Sequence, residues 1–380
     1  MRIQNGKLMC LRITMTLLVG TGSIAFADGA DAVTPGASLI AEFGLRESAA
    51  PVSERAGWRA PKRIVVDAGV PGLIEGLKRA APGIVLVPTR TAAEMATLVA
   101  NADAAIGRTI LICNDAVLAA GKNLRWLQTT YAGVEVCTSK SALGERHILL
   151  TNMRAVAGPV IAEHAMAMLL ALTRGLHVSI PRQSSGTWDG DYPGAEIVSL
   201  HGKTMLIVGL GGIGSEVAKR AAAFDMRVVA TRATTQERPV NVQYVGTPEE
   251  LPTLLKDADV VVDALPLTSL TKGLFDAKIF ALMKPTAIFV NVARGGSVVT
   301  NDLTAALTAH RIAGAALDVT DPEPLPQDHP LWHAPNVIIT PHIAAAPGQI
   351  EVVLRVLREN LRRYAAGERM LSEVDLQRGY

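Results

Sequence analysis

From residue 63 onward, short runs of apolar and β-branched residues alternate with longer stretches whose apolar positions recur at helical spacing. Residues 63–67, 84–87, 124–128 and 148–151 predict strands, and 71–80 and 91–100 predict helices between them. A long Ala-, Leu- and Met-rich stretch follows over 158–180, with Pro159 where a first helical turn tolerates proline and Pro181 just past the expected end. Its apolar residues run almost all the way round, which predicts a helix covered on both sides. Further strand-like runs fall at 204–209, 226–230, 242–245, 259–264, 287–292, 313–317 and 336–340. Continuous apolar strands alternating with helices imply parallel sheets covered by helices on both faces, an α/β fold. The last amphipathic stretch, 349–366, sets Arg355, Arg358, Arg362 and Arg363 along one side, which predicts a solvated face.

The N-terminus has a different pattern. Arg2, Lys7 and Arg12 precede an uncharged, largely apolar run over 13–25, and Ala25-Phe26-Ala27 before Asp28 fits a small-x-small cleavage site. Residues 1–27 are expected to be a secretory signal, too short to span a bilayer comfortably and without the twin arginine of folded-state export. Residues 28–61, rich in Ala, Gly, Pro and Ser, predict a linker or loosely attached N-terminal arm. The expected location is therefore periplasmic, with no stable membrane span after signal removal. A start at Met9 or Met15 would instead leave a cytoplasmic protein.

Composition narrows the function. With 380 residues, 49% of them hydrophobic, there is enough chain for two cores. Lys+Arg 37 against Asp+Glu 35 gives a net charge of +2 with no basic blocks, which argues against a nucleic acid or an anionic membrane as partner. Cys10, Cys113 and Cys137 do not suggest a disulfide framework, and none sits in a Cys-x-x-Cys pair, so no metal site is expected.

The run 204–208 leads directly into Gly209-Leu210-Gly211-Gly212-Ile213-Gly214 and then a helical pattern, with another strand starting 12 residues beyond Gly214. Such glycines make a tight turn, let a pyrophosphate approach the backbone and pack helix on strand, while the helix N-terminus offers amides to the phosphates. A dinucleotide is implied. After the next strand, where a carboxylate would accept the ribose 2′-hydroxyl of NAD, stand Thr231 and Arg232; a cation there suits a 2′-phosphate, so NADP is favoured over NAD.

Three polar residues fall just beyond later strand-like runs: Arg294 in Val292-Ala293-Arg294-Gly295-Gly296, Glu323 in Asp318-Val319-Thr320-Asp321-Pro322-Glu323-Pro324, and His342 in Thr340-Pro341-His342. With the glycine turn, these segments resemble the D-isomer-specific 2-hydroxyacid dehydrogenases over roughly residues 62–372. The resemblance implies two Rossmann-like domains around a cleft: a substrate domain over 62–157, completed by 343–372, and a dinucleotide domain over 158–342. It implies that Arg294 binds the carboxylate and carbonyl of a small 2-oxo acid such as glyoxylate or hydroxypyruvate. It implies also that His342, oriented by Glu323, donates the proton, which suits a reaction that builds negative charge on a carbonyl oxygen. Ala132, Gly133 and Val134 are expected to hold the substrate carboxylate through backbone amides. Leu265, Pro266, Val292 and Asp318 are expected beside the cofactor, Asp318 near the nicotinamide carboxamide. The long 158–180 helix resembles the family's dimerisation segment, so a homodimer is expected.

Two positions depart from the commoner family pattern. Glu135 stands where Asp is frequent, and Ala344-Ala345-Ala346 replaces a Gly-, Ser- or Thr-containing run. Two alternatives use the same fold: a dinucleotide-sensing binding protein of the corepressor kind, and a formate or phosphite dehydrogenase. Formate dehydrogenases place Gln beside the histidine, so Glu323 opposes that last reading.

Overall fold

Five parallel strands, in the order β2-β1-β3-β4-β5, form the first sheet of the computed structural model. They are β1 (Arg63–Asp67), β2 (Val85–Thr89), β3 (Ala104–Gly107), β4 (Trp126–Thr129) and β5 (Leu149–Thr151). The structure describes residues 36–80, 82–188, 196–234, 238–345 and 350–379, so the signal expected over 1–27 lies outside the described residues. Strand β3 had no counterpart in the sequence reading. Its Ala-Ala-Ile-Gly sequence has a single β-branched residue, yet all four residues are buried at the centre of the sheet, where small side chains fit between covering helices.

Alternate residues of each strand face opposite sides. Ile64, Val66, Ile106 and Trp126 enter one core with the C-terminal helix Ile350–Ala366, and Val65, Ala105, Leu127 and Leu150 enter the other. The C-terminal helix thus packs into the core of the first lobe. It buries Leu354, Leu357, Leu361 and Tyr364, each stabilising by roughly 1.5–3 kcal/mol relative to exposure. Asn360 fixes its register by donating to Gln128 Oε1 at 2.8 Å, where Thr151 Oγ1 also donates at 2.7 Å.

Two expectations are corrected here. The described part of the supposed linker is packed structure: helix Gly36–Phe43 buries Leu39, and Leu45 and Val52 join the same core. That segment in turn covers the arginines of the C-terminal helix, which are not simply a solvated face. Arg363 is buried and pairs with Glu359 at 2.6 Å and Glu47 at 2.7 Å, and Arg355 pairs with Glu42.

The crossing helix is also shorter than expected. Gly158–Thr173 ends at a left-handed Gly175, and a second helix, Leu176–Ser184, starts beyond it with Pro181 inside. The second sheet is parallel throughout, in the order β12-β11-β10-β9-β6-β7-β8. Its strands are β6 (Thr204–Val208), β7 (Arg227–Thr231), β8 (Tyr244–Gly246), β9 (Val260–Asp263), β10 (Ile288–Asn291), β11 (Gly314–Leu317) and β12 (Val337–Ile339). Strand order reverses between β6 and β9, where ligands bind in open α/β sheets.

The cysteines supply a further correction. Cys113 and Cys137 are disulfide-bonded, with Cα atoms 5.1 Å apart. Sequence gave no sign of this, because 24 residues separate them and no cysteine motif marks the pair.

Candidate active site

The glycine turn sits at the strand-order reversal and opens helix Gly212–Ala223. Gly209 has φ +100°, and a Cβ there would stand 2.8 Å from the Ala264 carbonyl, so only glycine serves. Its amide and that of Leu210 donate to the Thr231 carbonyl, which ties the turn to the end of β7. Gly212 packs against Ala155 and Gly214 against the Gly209 carbonyl, whereas Gly211 faces open space, with Arg154 Nη2 the nearest atom to a Cβ built there, at 3.9 Å. The half-buried Ile213 completes the cradle. This shape, a bare backbone turn at a helix N-terminus with an arginine alongside, fits a pyrophosphate. Arg154 was missed from sequence, where a lone arginine after a strand carries no motif.

At the end of β7, Thr231 is buried. Arg232 is half-buried, and burial together with the charge of Arg46 lowers its pKa. No carboxylate occupies residues 231–234, so a ribose 2′-phosphate meets a cation and no anion there. Leu265 and Pro266 are half-buried at the exit of β9, while Val292 is buried just after β10.

Arg294, Glu323 and His342 follow the carboxyl ends of three neighbouring strands, β10, β11 and β12. Glu323 Oε1 lies 2.6 Å from His342 Nδ1, which leaves Nε2 of the ring to face a reactant. Both are nearly half exposed. His342 has φ +53°, an uncommon value for a non-glycine residue, and its amide donates to the Asp318 carbonyl at 2.8 Å. Asp318 is the second part of that support. Its buried carboxylate accepts Thr340 Oγ1 at 2.6 Å and the amides of Ile343 and Ala344 at 2.9 Å each, with His164 Nε2 at 3.4 Å. Asp318 thus holds the loop that carries His342, at the strand end where it is expected beside the nicotinamide.

Arg294 reaches the first lobe. Its Nε donates to Glu135 Oε1 at 2.9 Å, and its Nη1 donates to the Ala293 carbonyl at 2.7 Å. A Cβ on Gly133 would meet Arg294 Nη2, so a larger residue there would require the guanidinium to shift. The carbonyls of that loop are all engaged: Tyr131 by the Met153 amide, Ala132 by Asn152 Nδ2 at 2.8 Å, and Gly133 by Thr109 Oγ1 at 3.2 Å. Among the described residues no acceptor meets the amides of Ala132, Gly133 and Val134. Consecutive amides pointing the same way form an anion-binding concavity.

Behind Arg294 lies Asp263, the last residue of β9 and fully buried. Complete burial pushes its carboxyl up to about 7, against the opposing pull of Ser297, the Leu265 amide and Arg294. An aspartate ending an apolar strand gave no such signal in sequence.

Residues 166–344 match the D-isomer specific 2-hydroxyacid dehydrogenase, NAD binding domain family. The glyoxylate/hydroxypyruvate reductase B of Escherichia fergusonii is 37% identical over 265 residues, 68% of this chain and 79% of that protein. The human glyoxylate reductase/hydroxypyruvate reductase is 35% identical over 267 residues, with the same two shares of 68% and 79%. Among solved structures, a D-isomer specific 2-hydroxyacid dehydrogenase from Xanthobacter autotrophicus Py2 in complex with NADPH and MES superposes with a TM-score of 0.73 at 28% identity, covering 85% of this chain and 100% of that one.

Proposed function

The chain belongs to the D-isomer-specific 2-hydroxyacid dehydrogenases, and we propose that it reduces a small 2-oxo acid of the glyoxylate or hydroxypyruvate kind to the D-2-hydroxy acid, with NADPH preferred to NADH. When bound, the nicotinamide supplies a hydride to the carbonyl carbon. The residues that would hold the nucleotide are Gly209, Gly211, Gly212, Ile213 and Gly214 at the pyrophosphate, Arg232 at the 2′-phosphate, and Leu265, Pro266 and Val292 along its length.

His342 holds the reacting proton at Nε2, and Glu323 on Nδ1 fixes the orientation of the ring. Arg294 offers its remaining N–H groups to the substrate carboxylate and carbonyl. The amides of Ala132, Gly133 and Val134 form the second anchor. Glycines at the contact of the two lobes let backbone close over the reactant and exclude water. The observation that carries this reading is the 2.6 Å contact between Glu323 and His342, one strand end away from Arg294. It fits a proton donor beside a carboxylate clamp. Initial rates with NADPH and NADH against glyoxylate, hydroxypyruvate, pyruvate and phenylpyruvate test it; a folded chain silent with both cofactors would overturn it.

Two further assignments belong to this proposal. The protein works after export, a reading supported by the signal-like residues 1–27 and by the Cys113–Cys137 disulfide, since such bonds persist in oxidising compartments. N-terminal sequencing of native protein that began at Met1 would oppose it. The protein also forms a homodimer, supported by exposed apolar Leu176, Ile180, Trp188 and Ile197 close together in the chain beyond the crossing helix. A monomer mass by light scattering at micromolar concentration would count against that.

A further inference from the structure

We propose that Asp263 is a protonated acid in the working protein and that it positions the backbone of Arg294 through Ser297; the functional part of this proposal rests on the reductase reading above. The reasoning is a count of hydrogens. Ser297 Oγ makes hydrogen-bond contact with two oxygens, the Arg294 carbonyl at 2.6 Å and Asp263 Oδ2. A serine hydroxyl carries one hydrogen, and a carbonyl and an ionised carboxylate carry none. With Asp263 ionised, one of the two contacts would press together oxygens with no hydrogen between them, in a site where Asp263 and Ser297 are both buried away from water. A hydrogen on the acid removes the conflict. Asp263 then donates to Ser297 Oγ, Ser297 donates to the Arg294 carbonyl, and the second acid oxygen accepts the Leu265 amide at 3.0 Å.

The charges around the acid do not compensate an anion. Arg294 is the cation whose field reaches Asp263, but its Nε is paired with Glu135 and its Nη1 with the Ala293 carbonyl. The other charged groups at these strand ends are Arg232 after β7 and Asp318 and Asp321 after β11, with Glu135 across the lobe contact. Burial already pushes the Asp263 carboxyl up to about 7.

The chain of hydrogen bonds joins two parts of the site. At one end Leu265 starts the β9 exit loop expected along the cofactor. At the other end the Arg294 carbonyl, which also accepts Asn291 Nδ2 at 3.1 Å, sets the turn from which the guanidinium projects. Losing the proton turns Asp263 into a competitor for the Ser297 hydrogen and loosens that turn. Substrate binding then weakens above neutral pH while the chemical step is little changed. Asp263 is a positioning residue in this account; it touches no reactant.

Asp263→Asn tests it, because the amide keeps one donor and one acceptor in the same places and cannot ionise. Infrared difference spectra of the full chain, wild type minus D263N, should show a carboxylic-acid carbonyl band at about pH 6 that fades by about pH 8. The KM for the best 2-oxo acid should rise about tenfold over the same interval in wild type and stay nearly flat in D263N, with kcat alike in both. Ser297→Ala should raise KM at both pH values. An absent acid band at about pH 6 overturns the protonated acid, whether or not any 2-oxo acid is turned over. A band that is present while wild type and D263N share one KM profile overturns the link to Arg294.

Discussion

Arg294 Nε donates to Glu135 Oε1 at 2.9 Å, so an arginine at a strand end of the second lobe is paired with the first residue of a short helix in the first. An anionic substrate must share that guanidinium with a carboxylate already in place. The two side chains are about a third exposed, 29% and 34%, so screening holds the penalty to about 1 kcal/mol. Glu135→Gln keeps an acceptor for Nε and removes the charge. The expected outcome is a KM for 2-oxo acids about fivefold lower at unchanged kcat, with the gain shrinking as salt is added. A raised KM would show instead that the charge pair is needed to hold the lobes in register.

The contact between Glu323 and His342 predicts a different signature. Replacing His342 with Gln removes the proton donor and should lower kcat by about 10²–10⁴-fold, the usual size of a general-acid contribution. Glu323→Gln should lower kcat less, because the amide can still accept from Nδ1 and orient the ring, leaving the donor itself in place. Both side chains are nearly half exposed, so thermal stability should move little in either variant. A large loss of melting temperature alongside the loss of kcat would mean that the pair is structural.

Arg232 and Arg154 separate the two phosphate sites of the cofactor. Arg232→Ala should weaken NADPH by about 10-fold or more and leave NADH nearly untouched, since only NADPH carries the 2′-phosphate. Arg154→Ala, beside the open face of Gly211, should weaken both cofactors alike. Fluorescence titration with each nucleotide reads the difference without turnover. Equal losses of both nucleotides in Arg232→Ala would move that residue away from the 2′-phosphate.

Sequence exposed the site more clearly than the scaffold, for a physical reason. The glycine turn, Arg294, Glu323 and His342 lie at strand ends, where local pattern and position coincide. Strand β3 was hidden because Ala-Ala-Ile-Gly lacks β-branched pattern and is a strand only by virtue of its central burial. Gly175 broke the crossing helix where the apolar stripe continued across it. Arg355 and Arg363 of the C-terminal helix looked solvated because Glu42 and Glu47, their partners from the N-terminal segment, lie more than 300 residues away in a stretch of loop-like composition. The contacts of Asp318 with the loop that carries His342 were hidden because they appear only once β11 and β12 are adjacent.

The disulfide joins the ends of two short helices that flank the Ala132–Val134 loop, Thr109–Ile112 and Glu135–Thr138. A cross-link closing a loop of 24 residues restricts the unfolded chain by about 3 kcal/mol in the chain-entropy account. Replacing Cys113 and Cys137 together with Ser should therefore lower the denaturant midpoint, and adding reductant should take wild type toward the variant. Identical midpoints for wild type with and without reductant would mean that the bond does not form in solution.

Asp263 gives the protein a pH dependence of stability opposite to that of its paired carboxylates. An acid whose pKa rises from 3.8 to about 7 on folding binds its proton more tightly in the folded chain than in the unfolded one. Its favourable contribution is complete below the unfolded value and is lost as pH rises through the folded one, by about 4 kcal/mol at most. Asp67 and Asp103, whose pKa values are lowered by their hydrogen bonds despite burial, act the other way, losing their contribution as pH falls. These opposing terms cancel when wild type is compared with D263N. Relative to that variant, wild type should lose unfolding free energy between about pH 4 and about pH 7 and run parallel above. Urea unfolding of both proteins across that range measures the difference; parallel curves throughout would mean that the buried carboxyl keeps the same proton affinity folded and unfolded.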